Sequence, residues 1–410
     1  MNYRSERSKI YILSPIPPQP TGTAVYLGFL LRDLQDLIPK ENIEIVIDDR
    51  YFDEDLPSTF MGFGVTKYSA FMPMIDDILF IFIANNKFHR HCINELVLCR
   101  SSKIISFIHD VQICMIMMEL CRLKKDSLDE NILEKTIGGQ LNRYDRRLIA
   151  WFKDQSVPEI AKYVTGCQGV TIQNSRIIVV HSYHAAIKLQ IEYEWSEANH
   201  PKILVMQHPK ADEVAEHAEL ADLNRQKESF TIGLFGWLSK SKRVGLVFNA
   251  FESFMDQLTI IDREKVKLRL VGKIIEVDFD VRQQVEVHKY GRNIEFYDYV
   301  PKEDFEMLMS ECSLLVNLRF PSCGETSGTL IHAETYNIPT VTTAYQSFYE
   351  ESSTFKISVD PTLEASQLLE VFKIVYDSNK KQIPIKATGP VYPSKLDVKQ
   401  AFSIILENVA

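Results

Sequence analysis

The chain of 410 residues carries 46 basic and 55 acidic side chains, a net charge of −9. That balance argues against a nucleic-acid partner, because a phosphate backbone demands a basic face. No apolar run reaches the roughly 18 residues that span a bilayer, and residues 1–7 lack the apolar segment of a signal peptide, so a cytoplasmic protein is expected.

With 45% hydrophobic and 25% charged residues the composition is that of an ordinary globular protein, and the length suits two domains of about 200 residues rather than one core. Short β-rich apolar runs alternate with helical patterns, which predicts βαβ units and parallel sheets. The first strand is expected at 9–13. The turn after it, Pro17-Pro18-Gln19-Pro20-Thr21-Gly22-Thr23, leads into a helix from Ala24. Gly22 there either lets a ligand approach the backbone or is simple turn chemistry.

Strands at 43–47 and 78–83 follow, the latter leading into Asn85-Asn86-Lys87-Phe88-His89, and a strand at 103–108 leads into His109-Asp110. Ligands of doubly wound domains lie at the carboxyl ends of strands. A lone histidine is more often structural, but two in that position make site candidates, His109 foremost. The seven cysteines, Cys92, Cys99, Cys114, Cys121, Cys167, Cys312 and Cys323, contain no Cys-x-x-Cys pair. Two pairs are spaced seven apart on helical patterns. They read as buried free thiols rather than a metal site or disulfides. Residues 142–152 are basic and aromatic, either a solvated helix face or a contact with a membrane surface or lipid-linked acceptor. Strands at 177–180 and 203–205 complete a first domain, 1–210.

A polar, helix-forming stretch at 212–228 interrupts the alternation. It restarts at 230–235, 266–271, 294–297, 313–317 and 340–342, which defines a second domain, 211–385. Its first strand runs through Gly236 into Ser239-Lys240-Ser241-Lys242-Arg243. Three cations directly after a strand are either a solvated turn or well placed to neutralise a diphosphate, Arg bidentately and Lys as a point charge. The most informative stretch follows the strand at 313–317: Leu318-Arg319-Phe320-Pro321-Ser322-Cys323-Gly324-Glu325-Thr326-Ser327-Gly328-Thr329, opening a helical pattern at 327–336. The N–H groups of Thr326, Ser327, Gly328 and Thr329, with the positive end of the helix dipole, make a cradle for a phosphate. Glu325 at that edge would repel the anion, so its useful partners are neutral hydroxyls beside it, as on a sugar. The plainer reading of the same residues is a capped turn with an acidic first helical turn. A breaker cluster at 388–393 and an amphipathic helix at 396–409 fill the final segment, 386–410.

Taken in order, Gly22, Asn85-Asn86-x-Phe88-His89, His109-Asp110, Ser182, Phe235-Gly236, Lys242-Arg243 and Arg319-x-Pro321-Ser322-x-Gly324-Glu325-Thr326-Ser327-Gly328 resemble glycosyltransferase family 4. The likeness is to its bacterial members with a Gly-Glu-Thr-Ser-Gly turn. It implies the α/β GT-B architecture: two Rossmann-like doubly wound domains facing a cleft, the donor mainly in the second, the acceptor mainly in the first, and a C-terminal helix crossing back. It also implies a retaining glycosyltransferase that needs no metal ion and no cofactor beyond its nucleoside-diphosphate sugar. The acceptor would be a glycan, a lipid-linked molecule or another hydroxyl, in bacterial surface polysaccharide or glycoconjugate synthesis.

The resemblance assigns chemistry to His109, Asp110, Glu325 and Lys242. Donor binding falls to Gly22, Gly236, Lys240, Lys242, Arg243, Thr326, Ser327, Gly328, Thr329 and Glu334. Family members commonly carry two glutamates separated by seven residues. The first matches Glu325 and the second falls on Ala333, with Glu334 one position on, about 100° around a helix. Trp237 follows Gly236 where many members have arginine, which leaves Lys242 and Arg243 as the expected phosphate contacts. The competing expectations are a sugar-phosphate synthase or phosphorylase and, outside enzymes, a glycosyltransferase-like partner subunit that binds a protein or glycan.

Overall fold

The computed structural model describes residues 9–51, 57–123, 147–154, 156–193, 200–210, 229–274, 280–383, 385 and 394–409. They form two compact units. The first holds the described residues up to Pro209, Cys323–Thr326 and the C-terminal stretch from 394; the second holds Lys210–Ser322 and the described residues from Ser327 to 385.

Eight strands make the sheet of the first unit: β1 (Ile10–Leu13), β2 (Ile43–Ile47), β3 (Thr59–Phe60), β4 (Phe63–Lys67), β5 (Ile78–Ile83), β6 (Lys103–Ile108), β7 (Ile177–Val180) and β8 (Lys202–Val205). Their order is β3-β4-β2-β1-β5-β6-β7-β8, parallel except for the β3–β4 hairpin. In register, Ile12 sits between Ile45 of β2 and Phe80 of β5. Such runs as Ile-Leu-Phe-Ile-Phe-Ile in β5 form central strands because both faces of the sheet are covered. Successive side chains therefore feed two cores: Tyr11 and Leu13 pack with the helix Arg90–Leu98, while Ile10 and Ile12 pack with the helix Gly22–Leu34.

The C-terminal helix Val398–Val409 buries Val398, Ala401, Phe402, Ile405 and Val409 in that second core, a three-and-four spacing that makes one apolar stripe. Phe402 stands 5.5 Å from the Phe80 ring and 5.8 Å from that of Phe107. This helix starts two residues later than the pattern predicts because Leu396 is spent on a strand-like bridge to Met206 beside β8. The breaker cluster at 388–393 and the stretch 212–228 lie outside the described residues.

The second unit has six strands, all parallel: β9 (Phe230–Phe235), β10 (Val266–Val271), β11 (Ile294–Tyr297), β12 (Leu314–Asn317), β13 (Thr340–Thr343) and β14 (Phe355–Ile357). The order β11-β10-β9-β12-β13-β14 reverses direction between β9 and β12, as that of the first unit does between β1 and β5. Each reversal leaves a crevice at the carboxyl ends of the two strands. The sequence pattern missed β3, β4 and β14, which are short strands at or next to a sheet edge, with half-exposed faces. The β3–β4 turn is made by Met61 and Gly62, both at positive φ, as a two-residue hairpin requires. Six described cysteines are free thiols, and Cys99 ends its helix in a left-handed conformation instead of sharing a face with Cys92.

One glycine lets the chain after β10 close on the turn after β9. Gly272, at φ +143°, approaches the turn after β9 so closely that an added methyl would lie 2.0 Å from the Gly236 carbonyl oxygen. Backbone cannot yield as a side chain can. Gly272→Ala should therefore cost about 3 kcal/mol or more, read as a lowered denaturant midpoint; an unchanged midpoint would contradict this packing.

Candidate functional site

At the crevice between β9 and β12, the chain leaves β9 through Phe235 and Gly236, the latter at φ +91°. It then makes a tight turn at Lys240–Lys242 and enters the helix Val244–Asp256. The turn folds Lys242 back under the strand end: the residue is only 3% exposed and its Nζ donates to the Phe235 carbonyl at 2.5 Å. A methyl on Gly236 would lie 3.2 Å from that Nζ and 3.5 Å from Thr329 Oγ1. Gly236, Lys242 and Thr329 thus converge on one point. Thr329 is in the first turn of the helix Gly328–Thr335, whose leading N–H groups have no acceptor within the helix. Ser327 at its N-cap accepts a hydrogen bond from Asn317 Nδ2 of β12 at 3.0 Å, which fixes where the helix begins. An ammonium beside the positive end of a helix is an arrangement that an anion stabilises.

The other expected cations are placed differently. Lys240 is exposed at the head of the turn. Arg243 takes a left-handed conformation, and its Nε and Nη2 both donate to Glu364, which is 1% exposed. Two of the donors expected to grip a diphosphate thus hold a carboxylate that could not stay buried without them. Glu334 faces outward and pairs with Lys210 at 3.0 Å, whereas Ala333 is packed in the core with Phe235 and Leu315. The helix thus turns position 333, where the resemblance expects a second glutamate, inward.

The Gly-Glu-Thr turn groups with the first unit. Gly324, at φ +77°, leaves no room for a side chain: a methyl would lie 3.0 Å from Gln112 Oε1 and 3.2 Å from Val111 Cβ. Gln112 N–H donates to the Cys323 carbonyl at 3.1 Å, and Asn85 Nδ2 reaches Cys323 Sγ at 3.4 Å. The Glu325 carboxylate accepts the Cys323 N–H at 2.7 Å, so the turn closes on itself with Glu325 and Thr326 partly exposed. Gln112 is fully buried, yet neither side-chain polar atom has a hydrogen-bond partner.

At the first unit's own crevice, Gly22 opens the helix two residues earlier than expected, is exposed, and an added methyl would meet nothing within 4 Å. His89 is structural: Nδ1 donates to the Phe82 carbonyl and Nε2 accepts from Thr23 Oγ1, each at 2.8 Å, the tautomer following from the carbonyl. Asp110 Oδ2 accepts the Asn85 N–H at 2.6 Å, tying the ends of β5 and β6 together.

His109 is partly exposed, with its Nε2 buried and without a hydrogen-bond partner. Its ring stands edge-on to Tyr26 at 4.4 Å, and Tyr26 also touches His181 and His208, at 5.2 and 4.7 Å. Burial, then the neighbouring His181, His89 and His208, holds its pKa well below the usual range. At neutral pH it is an uncharged imidazole, suited to orienting a hydroxyl. Sequence reasoning passed over His181 and His208, although both follow strands just as His109 does.

Burial also pushes the pKa values of His89 and His181 down to about 3 and of His91 to about 4. Each ring regains an ordinary value near 6.5 on unfolding, so below that pH the unfolded chain binds more protons. Stability is fully present above about pH 6.5 and is lost as the pH falls towards the folded values. From pH 7 to pH 5 each of the three should cost about 2 kcal/mol, seen as a falling urea midpoint; equal midpoints at the two pH values would contradict their burial.

Residues 142–146 lie outside the described residues; beyond them, Trp151 and Phe152 of the helix Arg147–Asp154 pack on the core of the first unit, so these aromatics do not form an outward face. Among the described residues no helix is long and apolar enough to cross a membrane, and no group of three or more His, Cys, Asp or Glu is arranged to hold a metal ion.

Two doubly wound α/β units of this kind in one chain constitute the GT-B fold. Solved structures share it over nearly the full length. HepE of Anabaena, in complex with UDP and glucose, superimposes with a TM-score of 0.54 at 12% identity, over 98% of this chain and 96% of that one. WaaG, a glycosyltransferase involved in lipopolysaccharide biosynthesis, gives 0.54 at 14% identity over 98% and 94%. Sucrose-phosphate synthase of Thermosynechococcus elongatus gives 0.57 at 12% identity over 98% and 94%. At such identities the likeness carries the fold alone. No protein-family model and no curated sequence matches the chain.

Proposed function

We propose that the chain is a retaining glycosyltransferase of family 4 that moves a sugar from a nucleoside-diphosphate donor to an acceptor hydroxyl. One observation carries the reading: the buried Lys242 ammonium, Gly236 and the start of the helix at Thr329 converge at the carboxyl end of β9. An anion placed between the ammonium and the helix start is stabilised by both, and a donor diphosphate supplies one. Similarity to HepE, which was solved with UDP and glucose, supports a nucleotide sugar as that ligand.

The chemistry needs neither a protein nucleophile nor a metal ion. As the bond from the anomeric carbon to the diphosphate breaks, charge builds on the β-phosphate, and Lys242 with the helix N–H groups stabilises it as it forms. The acceptor oxygen then attacks from the face that the leaving group vacates, losing its proton to a phosphate oxygen, so configuration is retained. Glu325 binds hydroxyls of the transferred sugar. In the first unit, neutral His109 orients the acceptor, and Asp110 acts by fixing the end of β5. A glycan or lipid-linked acceptor, a cytoplasmic location and a role in bacterial surface polysaccharide or glycoconjugate synthesis rest on the family resemblance.

Incubation with a panel of nucleotide sugars and coupled detection of the released diphosphate tests the reading. Donor-dependent release from at least one is expected. The core position of Ala333 favours a second reading, a glycosyltransferase-like partner subunit that has lost chemistry. Binding of a nucleoside diphosphate with no hydrolysis or transfer from any donor would establish that second reading.

A further inference from the structure

We infer that Glu306 binds the ribose hydroxyls of the donor nucleotide. The inference rests on the donor reading above and names a residue to which neither the sequence pattern nor that reading gave a role.

Glu306 belongs to the helix Lys302–Ser310, which follows β11 and packs beside the helix Gly328–Thr335. Two paths lead to it from the point where Gly236, Lys242 and Thr329 converge. His332 lies three residues beyond Thr329, on the same face of its helix, and its Nδ1 is 3.9 Å from Glu306 Oε1. Phe235, whose carbonyl takes the Lys242 ammonium, sets its ring 5.2 Å from that of Phe305, the residue before Glu306. The Phe305 ring in turn stands 6.2 Å from that of His332. Glu306 is thereby held about one helical turn along from the start of the helix that receives the diphosphate.

Its carboxylate lacks donors. The side chain is only 16% exposed, yet among the described residues nothing donates a hydrogen bond to it: its ion-pair partners, Lys302 Nζ at 3.7 Å and His332 Nδ1 at 3.9 Å, stand beyond hydrogen-bond distance. Burial, the main cause, holds the His332 pKa below its usual value against the pull of Glu306, so at neutral pH the imidazole carries no charge to offset the carboxylate. A largely buried acceptor without donors favours a ligand that brings them. Phosphate oxygens would be repelled, and the hydroxyls of the transferred sugar fall to Glu325. What remains beside the phosphates of a nucleotide sugar is the ribose. Its two adjacent hydroxyls can donate one to each carboxylate oxygen, in charge-assisted bonds.

Calorimetric titration of the full chain with UDP, GDP and ADP, their dideoxyribose analogues and inorganic pyrophosphate tests the assignment in wild type, Glu306→Gln and Glu306→Ala. Wild type should bind the preferred diphosphate at least about tenfold more tightly than its dideoxyribose analogue. In Glu306→Ala the two affinities should fall within about threefold of each other through loss of the ribose compound alone, pyrophosphate should bind no more weakly than to wild type, and Glu306→Gln should lie between. A wild type indifferent to the ribose hydroxyls would overturn the inference. So would a folded Glu306→Ala that keeps the wild-type preference, or one that loses pyrophosphate in equal measure. Should Glu306→Ala fail to fold, Glu306→Gln decides, with wild-type preference overturning the assignment. A wild-type protein that binds none of the diphosphates would refute the donor reading itself, a result distinct from a binding site indifferent to Glu306.

Discussion

Lys242→Met should lower the rate of sugar transfer by about 10² to 10³, the usual cost of one preorganised group that stabilises charge in a transition state. Methionine keeps most of the apolar stem in place, so the core around the 3%-exposed side chain stays filled. What is lost is the ammonium, with its bond to the Phe235 carbonyl and its position against Gly236 and Thr329. Initial rates with the preferred donor, beside calorimetric affinity for the nucleoside diphosphate, give the readout. Both should fall. A transfer rate within threefold of wild type in a folded variant would mean that the leaving group sits elsewhere.

Glu325→Gln should reduce transfer at least about 10²-fold while leaving diphosphate affinity within about threefold. The amide oxygen of glutamine can accept the Cys323 N–H as the carboxylate does, so the turn around Gly324 keeps its shape. The negative charge is removed. If Glu325 binds sugar hydroxyls through charge-assisted hydrogen bonds, those weaken and the diphosphate contacts do not. Loss of diphosphate affinity equal to the loss of rate would move Glu325 to another role.

The strands were legible because central strands buried on both faces leave unbroken apolar runs, as at Ile78–Ile83 and Phe230–Phe235. The short strands β3, β4 and β14, at or next to a sheet edge, leave no such run, since most of their residues meet water. Gly236, Lys242 and Thr329 were legible as candidates because each belongs to the connection that leads from a strand to its helix, and the topology brings those strand ends to one crevice. Partnerships between distant residues were not legible. Nothing local marks Glu364 as the carboxylate that takes Arg243, 121 residues away, or Ser241 as the hydroxyl that anchors Arg319, 78 residues away. A basic turn in sequence therefore reads as three equivalent cations, whereas the fold commits one to a buried ion pair, exposes another and buries the third. The inward turn of Ala333 is equally a property of packing, since it depends on which face of Gly328–Thr335 meets Phe235.

The central claim is that the crevice between β9 and β12 binds the diphosphate of a nucleotide sugar. Thermal unfolding of the wild-type chain, followed with UDP, GDP and ADP, their sugar conjugates and the matching nucleosides, tests it most directly. At a concentration of about 100 Kd a ligand that binds only the folded chain stabilises it by about 2.7 kcal/mol. At least one diphosphate and its sugar conjugate should raise the melting temperature by several degrees at a concentration where the nucleoside raises it little, and Lys242→Met should abolish the difference. A melting temperature indifferent to every diphosphate, or raised as much by the nucleosides, would contradict the claim.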